Sequence, residues 1–168
     1  MPSGRKKAIV RKLSRDWLSG YLPASNFAHN GQMELLDLTG KVTTLQLDAI
    51  KWVCFVRDFN SGEPGNPERL LRKNFAARPR NEGVSLRLRL KDGDILEGLA
   101  ANDLTLLDSP GVLLTPPDIR SNTQKIFVPR STITDLSILA VIVNSSRRKR
   151  FELPHQEDLF TAPEEPAE

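Results

Sequence analysis

A chain of 168 residues, 39% of them apolar, suits one ordinary domain or two very small ones. Its longest apolar run, Ile138 to Val143, is far below the ~20 residues that span a bilayer. The basic opening MPSGRKKAIVRKL is followed by no signal-peptide apolar stretch, so the sequence predicts a cytoplasmic protein without a membrane segment. The net charge of +3 conceals a reversal at Phe151. Beyond it stand six of the 21 acids (Glu152, Glu157, Asp158, Glu164, Glu165 and Glu168) and no Lys or Arg, which leaves 15 acids against 24 basic residues in positions 1–150. A basic body with an acidic tail favours polyanionic or acidic partners.

In chain order, Lys7 to Leu13 puts apolar and basic residues in near alternation, as a half-buried strand requires. A polar turn follows at Ser14-Arg15-Asp16, then a second strand over Trp17 to Leu22 with Gly20 inside it, where a strand glycine marks a bend or close backbone approach. Asn26-Phe27-Ala28-His29-Asn30 reads as a loop, with Asn30-Gly31 able to form a tight turn. Met33 to Asp37 and Val42 to Leu47 give third and fourth strands; after the step Asp48-Ala49, Ile50 to Val56 gives a fifth. Cys54 lies in the apolar run Trp52 to Val56 and reads as a buried, inert thiol.

The segment that follows is loop-like from Asn60 to Glu68. With Asn66 as N-cap, Pro67 at the first helical position and Leu70, Leu71 and Phe75 on one side, Pro67 to Phe75 predicts a short helix. The earlier series then returns: Val84 to Leu90, a turn at Lys91-Asp92-Gly93-Asp94, Ile95 to Ala100 around Gly98, Gly111 to Thr115, Gln124 to Val128, the step Pro129 to Thr132, and Ile133 to Leu139. Residues 7–58 and 84–142 therefore read as two copies of one five-stranded unit. Five short, bent strands close into a small barrel, and a unit of about 55 residues has a marginal core alone, so two gain by packing together. The expected organisation is mainly β: a first small barrel over 6–59, a linker with a short helix over 60–82, a second barrel over 83–145, and a basic cluster with a disordered acidic tail over 146–168.

A helix followed by five bent strands resembles the Sm-like fold of Hfq and the Sm proteins. Leu86 to Gly93 resembles the first strand and its turn, Ile95-Leu96-Glu97-Gly98 the glycine-bearing second strand, and Ile126 to Ile133 the fourth strand, tight turn and fifth strand. In the first copy Asn30 stands about where that family's RNA-contacting asparagine stands, and in the second Arg130 lies near the later turn. The resemblance implies a non-enzymatic binding protein with single-stranded RNA as a partner, and assembly of several chains into a homo-oligomer.

The residues themselves nominate Phe27, His29 and Asn30 for base stacking and base-edge hydrogen bonds. Arg130 and the run Arg147, Arg148, Lys149 and Arg150 are nominated for phosphate contacts. No catalytic residue, metal site or cofactor is expected: one cysteine and two distant histidines supply no ligand set, and no GxSxG, HExxH, Walker A or dinucleotide fingerprint occurs. Asp92-Gly93-Asp94 lacks the rest of a calcium loop and reads as a hairpin turn. Two further readings are a protein-interaction scaffold and a cyclic-dinucleotide receptor of PilZ type. Arg11 and Arg15 have the RxxxR spacing of the latter, but its second motif does not follow.

Overall fold

The computed structural model describes residues 4–59, 63–118 and 120–144. Eleven antiparallel strands form one sheet: β1 (Arg5–Lys12), β2 (Trp17–Pro23), β3 (Ala28–His29), β4 (Gln32–Asp37), β5 (Val42–Gln46), β6 (Ile50–Val56), β7 (Gly83–Leu90), β8 (Ile95–Ala100), β9 (Gly111–Thr115), β10 (Thr123–Pro129) and β11 (Ile133–Ile142). A four-residue helix, α1 (Thr105–Asp108), and single 3-10 turns at Leu47–Ala49 and Arg130–Thr132 complete the described elements. The chain is mainly β.

Both halves share one strand order. The first runs β6-β1-β2-β4-β5 and the second β11-β7-β8-β9-β10, the fifth strand lying beside the first in each. The sheet is open, which corrects the two closed barrels expected from the sequence. In neither half do the fourth and fifth strands pair with each other; instead β10 of the second half pairs with β6 of the first, Ile126 opposite Cys54 and Phe127 opposite Val53.

The likeness extends to single hydrogen bonds. Lys12 N–H donates to Asp16 O at 2.8 Å and Leu90 N–H to Asp94 O at 2.9 Å, each closing the turn between first and second strands. Leu13 N–H reaches Ala49 O and Lys91 N–H reaches Thr132 O, both at 2.9 Å. The first strand slips against the fifth at the same bulge, between Arg11 and Lys12 and between Ile133 and Asp135. Gly20 and Gly98 answer one requirement: a Cβ on Gly20 would lie 2.7 Å from Leu35 Cγ, and on Gly98 2.7 Å from Leu114 Cβ. Third-strand leucines cross over both positions, and only glycine leaves room for them.

The register between halves differs by one from a match of sequence patterns. Lys12, not Leu13, occupies the place of Leu90; Tyr21 opposite Leu36 and Leu99 opposite Thr115 make Met33 the counterpart of Val112.

Two cores lie on opposite faces of the central strands. Ala8, Val10, Leu22, Met33, Leu35, Val53 and Phe55 form the first, and Phe127 joins it from the other half. Leu86, Leu88, Leu90, Leu96, Leu114, Ile126 and Val128 form the second, joined by Ile9, Trp52, Cys54 and Val56. β6 is therefore apolar on both faces, as a strand between two layers must be.

The expected linker helix does not form. Asn66 does begin a turn, accepting from Arg69 N–H through its backbone O and from Leu70 N–H through Oδ1. Arg69, however, adopts φ 48°, a left-handed conformation that ends a helix. Glu68 is drawn inward: its carboxylate takes Arg11 Nε at 3.1 Å, Arg11 Nη2 at 2.7 Å and Trp52 Nε1 at 3.3 Å, while Thr123 Oγ1 donates to its backbone O at 2.6 Å. These bonds to both halves outweigh the intrinsic helical signal.

Candidate nucleic-acid interface

The β3–β4 hairpin turns at Asn30 and Gly31, with φ 50° and 75°, the mirror-image geometry for which Asn-Gly is suited. Its tip presents His29 and Asn30 to solvent at a hollow of about 380 Å³, whose walls also include Asn26, Gln32 and Arg5. Phe27 lines the floor but is committed elsewhere. Its ring stands edge-on to Phe55 at 5.3 Å and to Phe127 at 4.9 Å, so it serves the core more than it offers a stacking face.

Arg5 lines a second hollow, about 250 Å³, at the head of β1 and the end of β6, together with Lys6, Lys7, Arg57 and Gln124. One side chain thus links an amide-and-imidazole hollow to a cation-rich one. Lys7 is partly engaged, 3.5 Å from Asp58 and over the Phe59 ring at 5.6 Å. The sequence signal for this tract is the run Arg5-Lys6-Lys7. Period-two alternation sends such a run to both faces of a strand, so only the fold shows which neighbours it meets.

The remaining nominated residues fall apart from this tract. Arg130 is half-buried, and its Nε donates to Ser109 O at 2.7 Å while Nη2 donates to Leu106 O, tying down the segment around α1. Arg147, Arg148, Lys149, Arg150 and the acidic tail lie outside the described residues.

A larger cleft of about 1100 Å³ opens between the β1–β2 turn, the linker and the β7–β8 turn. Its cations are largely consumed by its own acids. Lys51 Nζ lies 2.6 Å from Asp92 and 2.9 Å from Asp94; Lys73 Nζ lies 2.6 Å from Asp94. Burial disfavours charge at all three of Lys51, Asp92 and Asp94, but hydrogen bonds win: Asp92 and Asp94 hold Lys51 above its ordinary pKa, Lys51 holds Asp92 below its own, and Lys73 with Lys51 does the same for Asp94. Arg11 is bound to Glu68 here, so the Arg11/Arg15 spacing does not present a free pair to a cyclic dinucleotide. Asp92-Gly93-Asp94 forms the hairpin turn, Gly93 taking φ 85°. Cys54 is fully buried and its thiol is pushed far up by that burial, with no reactive thiolate to offer. Among the described residues no group of His, Cys, Asp and Glu is placed to hold a metal ion, and no helix is long and apolar enough to cross a membrane.

Fold and site together define a mainly β protein with one open sheet, whose two halves share a strand order and whose first half carries a polar, basic tract. The chain belongs to a family of unknown function, DUF6982, whose pattern matches residues 4–140 and so spans both halves. No curated protein and no solved structure matches it.

Proposed function

We propose that this is a non-enzymatic, cytoplasmic RNA-binding protein made of two fused Sm-like units, with single-stranded RNA held along the tract from Asn30 to Arg57. The common strand order, bulge and turn hydrogen bonds support the Sm-like reading of each half. The observation that carries the RNA reading is the position of Arg5, shared between the two hollows. Phosphates would meet Arg5, Lys6 and Lys7, while Asn26, His29, Asn30 and Gln32 offer donors and acceptors to base edges. The excess of basic over acidic residues in positions 1–150 supplies the long-range attraction.

Fluorescence anisotropy of a labelled single-stranded RNA across a salt series tests this. Each phosphate neutralised on a single strand contributes a slope of about −0.7 in log affinity against log salt. Arg5→Ala combined with Lys6→Ala should weaken binding and flatten the slope by about 1.4. Absence of binding at low salt, or an affinity unmoved by the double substitution, would sink the proposal.

A further inference from the structure

A groove of about 290 Å³ runs between the linker and the ends of β8 and β9, apart from the two hollows that meet at Arg5. Glu97 holds its linker wall in place, donating its N–H to Lys73 O at 2.6 Å and accepting Phe75 N–H on its carboxylate at 2.8 Å. Half-buried Phe75, Leu99 and Pro117 give the groove an apolar lining, while exposed Arg72, Asn74 and Arg80 bring polar groups to it. Arg11 and Arg87 are bound to Glu68 and Glu97. The side chains of Arg72 and Arg80, by contrast, meet no carboxylate or other acceptor among the described residues.

The chain leaves the described structure beside this groove. Ile142 pairs with Gly83, and Asn144 Nδ2 donates to Glu82 Oε2 at 3.3 Å, two residues along from Arg80. After Asn144 the sequence runs on for 24 residues and finishes with Thr161-Ala162-Pro163-Glu164-Glu165-Pro166-Ala167-Glu168. Prolines three apart fall on one edge of a polyproline II helix, which has three residues per turn, and the two glutamates turn to its other edges. Grooves with an aromatic, apolar lining take such segments. Eighteen residues separate Asn144 from Pro163, a span of up to roughly 65 Å, ample to return to the adjacent wall.

We propose that the segment from Ala162 to Glu168 docks in this groove of its own chain. Pro163 and Pro166 lie on Phe75, Leu99 and Pro117, and Glu164 and Glu165 answer the two unpaired arginines. The amide of Asn74 donates to the segment's backbone carbonyls, which a polyproline II helix leaves without internal hydrogen bonds. Affinity need not be high. Tethering makes the contact intramolecular, at an effective concentration of about a millimolar, so even a weak groove is filled.

Paramagnetic relaxation in the full-length chain tests this. A nitroxide on Ala167→Cys labels the tail alone, because Cys54 is fully buried. The label should broaden the amide signals of Asn74, Phe75 and Leu99. It should lose that effect when Pro163→Ala and Pro166→Ala are added, substitutions that leave the folded body untouched. Broadening centred instead on Lys6, Lys7 and Arg57, or none at all, overturns the proposal. So does broadening that survives loss of both prolines but vanishes with Glu164→Gln and Glu165→Gln, since charge alone would then hold the tail. A mixture of spin-labelled chain with unlabelled, nitrogen-15-enriched chain should show no broadening; if it does, the groove takes the tail of a second copy.

Discussion

Phe127 of the second half stands edge-on to Phe27 of the first, their ring centroids 4.9 Å apart at an interplanar angle of 83°. With Phe55 at 5.3 Å from Phe27, three rings meet in the first core, and Phe127 reaches it from a strand of the other half. Phe127→Ala should cost about 3–5 kcal/mol, the usual range for emptying a buried phenylalanine site. Urea unfolding would measure it, and a loss under 1 kcal/mol would show that the first core closes without Phe127.

Glu68 is almost fully buried and meets both Arg11 and the indole N–H of Trp52. Glu68→Gln keeps the shape but leaves the Arg11 guanidinium without a counter-charge, and should lower stability by about 3 kcal/mol. The companion Arg11→Met removes the other charge. In a double-mutant cycle the pair should be less harmful together than the sum of the single changes.

The cluster of Lys51, Lys73, Asp92 and Asp94 makes stability depend on pH in a definite sense. Both aspartates have folded pKa values below 3.8, so their contribution is complete above that value and is lost as pH falls through the folded pKa. Lys51 lies above 10.5, so its share is complete below that pH and disappears as pH rises through the folded value. Asp94→Asn should weaken the protein at neutral pH by about 1–2 kcal/mol, less than a fully buried pair because these side chains keep some solvent contact. It should also flatten the acid limb of the urea-midpoint profile; an unchanged limb would place the acid sensitivity elsewhere.

Arg15 sits at φ 76°, at the turn position where the second half has Gly93 at φ 85°. A left-handed conformation costs an arginine about 1–2 kcal/mol, while glycine adds entropy to the unfolded chain. Arg15→Gly should therefore stabilise by about 0.5–1 kcal/mol. A lower urea midpoint would mean that the Arg15 side chain contributes more than its backbone strain takes away.

Much of the strand plan is legible in the sequence, and its failures have causes. Gly20 and Gly98 mark matching places because both must admit a leucine from the next strand. The one-residue offset in the first strand arises because β1 is buried on both faces: Ala8 and Val10 enter one core and Ile9 the other. A strand apolar on both sides has no clear period of two, so pattern alone cannot choose its register. The helix expected over Pro67 to Phe75 fails because Glu68 finds partners 57 and 16 residues away, in Arg11 and Trp52, which local propensity does not register. Of the candidate site, His29 and Asn30 can be picked out from turn chemistry, whereas the approach of Arg57 and Gln124 to Arg5 depends on the β6–β10 join.

That join has a consequence for how the molecule comes apart. Each half completes the other's interior, so a fragment ending at Phe59 would lack Phe127, and one starting at Glu63 would lack Ile9, Trp52, Cys54 and Val56. The two sequence units should therefore melt as a single thermodynamic body, and calorimetry should record one heat-capacity peak with equal calorimetric and van't Hoff enthalpies.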